Sequence, residues 1–243
     1  MSGTAARWLP RLPSAAATSR VFCIPHAGCG VGIFRNFPEQ QGSAEFLPVD
    51  LPGRLSRFGE VMPATFQGLA ADMLDGLEPF LAAPFALFGH CWSALTAYEL
   101  AIQLGRAGLP VPERVYVSSQ LAPQDQMIAP MLAMTEAELG VELEKVVRDM
   151  GQQPHPELVD IYVGILQADL DMIRRYVASD PGALPCPVTA IGWSEDTDIT
   201  PAQMSGWSAC RDTSFVVFPG PHSRFIDAPP ELISMLSGLE PSA

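Results

Sequence analysis

At 243 residues and 26.1 kDa the chain has room for one ordinary α/β core and not for two full-sized domains plus a linker. Hydrophobic residues make up 48% and charged residues 17%, with 24 Pro and 20 Gly, a balance that excludes a disordered or fibrous chain. Lys+Arg 14 against Asp+Glu 27 leaves a net charge of −13 and Lys145 as the only lysine, so a surface for nucleic acid or anionic membrane lacks its electrostatic footprint, and any docked anion has to meet an arginine.

Residues 1–19 are rich in Ala, Pro and Ser without an apolar run of signal-peptide length, and they read as a flexible arm on a cytoplasmic protein. Residues 20–243 then read as a single α/β domain. Arg20–Pro25 and Phe46–Asp50 are buried-strand patterns, each followed by turn residues. Thr65–Leu81 carries Phe66, Leu69, Met73, Leu74 and Leu77 at helical spacing, and Pro84–Phe88 is a short continuous apolar strand. Next comes Gly89-His90-Cys91-Trp92-Ser93-Ala94, after which Leu95, Tyr98, Leu100, Ala101 and Leu104 continue as a helix closed by Gly105 and Gly108. Glu113–Ser118, Pro187–Ile191 and Thr213–Phe218 supply three further strands, and strands alternating with helices predict a mainly parallel sheet.

From about residue 121 to 185 the rhythm changes to acidic helical pattern without a strand, including Glu136–Lys145 and Leu158–Tyr176. An insertion of this length lies over the C-terminal edge of the sheet, where ligands bind, so it reads as a lid, with a structural helical layer as the alternative. Met127, Met131, Leu132, Met134, Leu139, Ile161, Leu166 and Met172 are its candidate cavity-lining residues.

The strand–turn–helix at residues 89–94 matches the nucleophile-elbow pattern G-x-S-x-G with two changes, Cys91 for Ser and Ser93 for the second Gly. Taken alone, Cys91 is equally a small buried hydrophobe at a strand end. Chain order favours the nucleophile: an acid and then a histidine are expected after later strands, and Asp196, with Asp198 as the runner-up, and His222 stand there. Of the other histidines, His90 is pinned within the elbow, His155 is flanked by prolines in the insertion, and His26 precedes the elbow. Five widely spaced cysteines without a C-x-x-C pair predict neither a disulfide framework nor a metal site.

Pro25-His-Ala-Gly28, Leu51-Pro-Gly-Arg54, the elbow, Leu166-Gln-Ala-Asp-Leu170 with Tyr176, and Gly220-Pro-His222 together resemble the type II thioesterases of polyketide and nonribosomal peptide assembly lines, which are α/β-hydrolases. The likeness runs from about Arg20 to Leu236. It implies a phosphopantetheine thioester delivered by an acyl or peptidyl carrier protein, no cofactor, Asp196 as the acid, and oxyanion donors in the backbone N–H groups of Ala27 and Trp92. Members of that group normally carry Ser at the position of Cys91 and Gly at those of Ser93 and Cys29. A Cys nucleophile in this scaffold resembles instead the hydrolase-like Dieckmann cyclases that release tetramate and pyridone rings. An editing thioesterase and a non-catalytic carrier-binding module are the alternatives.

Overall fold

The strands are β1 (Ser19–Ile24), β2 (Gln40–Gln41), β3 (Ala44–Pro48), β4 (Phe85–His90), β5 (Arg114–Ser118), β6 (Val188–Trp193) and β7 (Thr213–Phe218), joined in one sheet in the order β2-β3-β1-β4-β5-β6-β7. The computed structural model describes residues 7–125, 130–149, 153–178 and 180–238. Every pairing is parallel except β2 with β3. The short exposed β2 carries no alternating pattern, which is why the sequence does not announce it. The helices are α1 (Phe66–Leu77), α2 (Trp92–Ala107), α3 (Glu136–Asp149), α4 (Pro156–Arg174) and α5 (Pro230–Ser237). Thr65 starts α1 by accepting the Gly68 N–H at 3.0 Å, and Gly108, at φ +67, ends α2.

Strands buried on both faces need cover on both sides, and the chain supplies it. On one face Phe66 and Met73 of α1 and Trp92, Tyr98 and Leu100 of α2 pack against Phe22, Leu47 and Val117. On the other, Phe34, Phe37, Phe225 and Leu232 enclose Val21, Phe46, Phe88 and Ile191. The chain leaves β1 towards β3 on one side and leaves β4 towards β5 on the other, so the gap between β1 and β4 is the topological switch point where α/β sheets bind ligands. Register pairs Ile24 with Gly89, which brings the ends of β1 and β4 level and sets Ala27 beside the elbow.

Between β5 and β6 the described residues contain α3, α4 and no strand. Leu139, Val159, Val163, Leu166 and Leu170 give these two helices a small core of their own. Of the expected cavity-lining residues, Met131, Leu132 and Leu166 line the central cavity, Leu139 and Met134 belong to the core between the two helices, and Ile161 faces an outer groove. Met172 is buried in the main core, and Met127 lies outside the described residues.

One expectation is corrected. The stretch from Trp8 onward is docked rather than frayed: Trp8 and Leu9 are buried, the Asp50 N–H donates to the Trp8 carbonyl at 2.8 Å, and Arg11 is ion-paired with Glu45. The Trp8 ring lies over Gly76, where a Cβ would stand 1.9 Å from it, and the Arg57 guanidinium sits 4.1 Å above its centroid. Scattered prolines hide this segment from any periodicity reading, and a single large aromatic ring anchors it. Trp8→Ala is expected to cost about 3–5 kcal/mol and to lower the urea midpoint accordingly; an unchanged midpoint would mean that the segment contributes nothing to the fold.

Candidate active site

The turn from β4 into α2 is sharp enough to force Cys91 to φ 52, ψ −129, a strained backbone that holds its side chain clear of the sheet. A Cβ on Gly89 would meet the Ser93 carbonyl oxygen at 2.3 Å, so only glycine fits that place. Ser93 is fully buried and satisfied: its hydroxyl donates to the Ile24 carbonyl at 2.8 Å and accepts the His90 N–H at 3.0 Å. The departure from glycine at Ser93 is therefore absorbed, and the hydroxyl ties the elbow to the end of β1.

Asp196 follows β6 and its side chain is fully buried. Its Oδ2 accepts from the Ser119 hydroxyl at 2.7 Å and from His222 Nδ1 at 2.9 Å, while Oδ1 accepts the Asp198 and Ile199 N–H groups at 2.9 and 3.0 Å. Burial alone raises such a carboxyl, but hydrogen bonds from His222, Ile199 and Ser119 outweigh it and hold Asp196 down at about 2. Asp198 is exposed and gives this network its backbone amide. Ser119, held at φ 48 just after β5, orients the acid and carries no recognisable signal in the sequence.

His222 opens the turn after β7, its Nδ1 hydrogen-bonded to Asp196, and it lines the same cavity as Cys91. Burial lowers its pKa, yet the Asp196 carboxylate and the neighbouring Cys91 raise it to about 10. The favoured form of His222 is therefore an imidazolium held by the Asp196 carboxylate. Its neighbours stay neutral. Burial and then the His222 charge bring His26 down to about 4 and push His90 lower than its ordinary value. Cys29, with Sγ 3.5 Å from His26 Nε2, is raised to about 11 by burial, which keeps it a thiol.

Cys91, His222, Ala27 and Trp92 line one cavity of about 370 Å³ whose walls are mainly apolar, with Leu121, Leu143, Leu166, Leu170 and Ile173 among them. Among the described residues no hydrogen bond uses the backbone N–H groups of Ala27 and Trp92, and both residues line the cavity with Cys91. Asp196, Asp198 and His222 offer ligand atoms within 4.8 Å of one another, but the Asp196 oxygens and His222 Nδ1 are engaged in the hydrogen bonds above. All five residues expected at the site thus converge, and Asp196 rather than Asp198 holds the histidine.

The chain belongs to the thioesterase domain family, whose model matches residues 19–239. The gramicidin S biosynthesis protein GrsT of Aneurinibacillus migulanus is 28% identical over 237 residues, spanning 92% of this chain and 89% of that protein. The structure of RedJ, the thioesterase from the prodiginine biosynthetic pathway in Streptomyces coelicolor, matches with TM-score 0.75 at 31% identity over 96% of this chain and 98% of its own. The type II thioesterase BorB from the borrelidin cluster matches with TM-score 0.79 at 26% identity, covering 95% of this chain and 96% of its own. The architecture is the α/β-hydrolase fold. No helix among the described residues is long and apolar enough to cross a membrane.

The linkage has a definite sign. The raised His222 contributes stability that is complete below its ordinary 6.5 and is lost as pH rises to about 10, whereas the depressed Asp196 contributes above 3.8 and loses it towards about 2. The difference in thermal midpoint between the parent and His222→Ala is expected to be largest between those ordinary values and to shrink steadily from there to pH 10. A constant difference would show that the pair is not coupled to titration. Iodoacetamide at pH 7 is expected to label Cys91 ahead of Cys29 and of the buried Cys23, Cys186 and Cys210, with mass spectrometry of peptides as the readout.

Proposed function

We propose that the chain releases acyl chains from carrier-protein phosphopantetheine thioesters in a nonribosomal peptide or polyketide assembly line, and that release occurs by Dieckmann ring closure. The observation that carries the reading is a cysteine at the elbow of a thioesterase-family fold, lining one cavity with a His222 that Asp196 holds. The Cys91 thiolate attacks the thioester carbonyl, the oxyanion is met by the Ala27 and Trp92 amides, and the departing pantetheine thiolate takes the proton from His222. Neutral His222 then removes a proton from the activated methylene of the β-ketoacyl-aminoacyl chain. The carbanion attacks the Cys91 acyl carbonyl, a carbon–carbon bond forms, and the Cys91 thiolate leaves beside the imidazolium.

The preference for cyclisation is chemical. A cysteine acyl-enzyme is itself a thioester, whose carbonyl accepts a carbon nucleophile more readily than an oxygen ester does. Hydrolytic editing is the second reading, supported by the likeness to the thioesterases RedJ and BorB. In that case water, activated by His222, replaces the carbanion. A non-catalytic carrier-binding module fits less well, since the ion pair of His222 with the buried Asp196 would then have no use.

Incubation with a synthetic β-ketoacyl-aminoacyl thioester separates the two chemistries by mass. Loss of the thiol alone is cyclisation, and loss of the thiol with gain of water is hydrolysis. The expected result is the ring-closed product. In Cys91→Ser the rate is expected to fall and the remaining product to shift towards the acid; ring formation at the parent rate without added acid would remove the reason for preferring a cyclase. Asp196→Asn is expected to lower turnover by on the order of 10²–10⁴-fold, with Asp198→Asn affecting it far less. Equal effects in steady-state kinetics would move the acid's role.

A further inference from the structure

The sequence segments 51–54 and 166–170 take no part in the chemistry above, yet the two meet beside it. Asp169 of α4 and Arg54 form an ion pair whose side chains are 1% and 3% exposed. The same Asp169 Oδ2 accepts the Gly28 N–H at 2.8 Å, and the Asp169 carbonyl accepts the indole N–H of Trp92 at 3.0 Å. One residue of the lid helix therefore touches both segments that carry the Ala27 and Trp92 amides.

The peptide unit between Ala27 and Gly28 is gripped at both ends. Asp169 holds its N–H, and His26 Nδ1 lies 3.1 Å from its carbonyl oxygen. His26 is neutral, so Nδ1–H donates there while Nε2 faces the Cys29 thiol at 3.5 Å. Fixing this peptide plane restrains the chain directly after the Ala27 N–H, which belongs to the preceding peptide unit. Gly28 itself is held at φ +73, with the Leu166 side chain of α4 where its Cβ would lie in contact at 3.6 Å. Arg54 supplies the charge that keeps a carboxylate at this depth.

We propose that Asp169 is a positioning residue through which the lid helix builds the oxyanion hole, holding both donor segments in register with Cys91. The inference rests on the reading of Ala27 and Trp92 as the oxyanion donors. It makes lid seating a condition of acyl transfer: with α4 displaced, Cys91, His222 and Asp196 remain assembled, but both donors lose their anchor.

The test uses the full chain and two readouts. One is kcat and KM for thiol release from a β-ketoacyl-aminoacyl N-acetylcysteamine thioester. The other needs no turnover: decanal protects Cys91 from iodoacetamide by adding the thiol across its carbonyl, forming the S–C bond and leaving the former carbonyl oxygen, as hydroxyl or oxyanion, to compete for the Ala27 and Trp92 amides. Asp169→Ala is expected to lower kcat by roughly 10²-fold and to raise the half-protecting decanal concentration at least about tenfold, with KM and the alkylation rate without decanal held within about twofold. Asp169→Asn, which keeps an acceptor for Gly28, is expected to restore part of both losses.

If Asp169→Ala fails to fold, the charge-neutral Asp169→Ala/Arg54→Met variant replaces it, and Trp92→Phe, which deletes the indole N–H together with part of the ring, is expected to weaken decanal protection in the same direction. Undiminished protection in a folded Asp169→Ala or double variant overturns the proposal. So does a fall in alkylation that keeps step with it, since that is general collapse. A parent that turns over no thioester but loses decanal protection on Asp169→Ala sinks the proposed function and leaves this inference standing; a parent that decanal does not protect overturns this inference, and its turnover of the thioester then decides the proposed function separately.

Discussion

The backbone of Cys91 at φ 52 is the constraint on which the site depends. A non-glycine residue in that region is costly, and here the surroundings over-determine it. The Cys91 N–H donates to the Ser118 carbonyl at 2.8 Å, Ala94 N–H returns to the Cys91 carbonyl at 2.9 Å, and Ser93 bonds across to Ile24. These contacts draw on β1, β4, β5 and α2 at once. The strain is sustained by the whole centre of the sheet, and it leaves the sulfur standing at the switch point with the start of α2 behind it.

Charge is organised around that point in an unusual way for a chain of net charge −13. Three histidines cluster there. The rings of His90 and His222 are 4.5 Å apart, and those of His26 and His90 are 6.0 Å apart. Only His222 has a carboxylate beside it, so only His222 is held in the charged form, while burial and its positive charge keep the other two neutral. Three imidazoliums in one apolar wall would repel each other and lose their hydration. The result is a single proton-carrying group facing Cys91, with His90 stacked on Phe225 at 4.0 Å as a packing element.

The lid region is joined to this centre by a deeply buried ion pair rather than by apolar contact alone. Arg54 was the natural kind of residue to seek as an anion anchor in a chain with one lysine, and it is instead consumed by Asp169. A buried pair of this kind is rarely the most stabilising option and commonly sets specificity of arrangement. Here the arrangement is that of α4 against the loop after β1.

Much of the site was legible because its determinants are local or ordered along the chain. The elbow needs Gly89, a nucleophile and a small residue at fixed offsets, and the acid and histidine follow β6 and β7 by connection rules that parallel sheets impose. Apart from β2 and α5, strand and helix positions followed from apolar runs and spacing, with errors of a few residues at their ends. Side-chain encounters between distant segments left no such trace. Trp8 over Gly76, Ser119 on Asp196, and Asp169 on Gly28 and Arg54 link residues far apart in the chain, and no periodicity encodes them. Thus the sequence by itself determined the fold class and the Cys91, Asp196 and His222 set, because those rest on local backbone geometry and chain order. Only the tertiary structure decided between Asp196 and Asp198, accommodated Ser93 and tied α4 to the loop after β1, because burial and hydrogen-bond partners exist only once the sheet has closed.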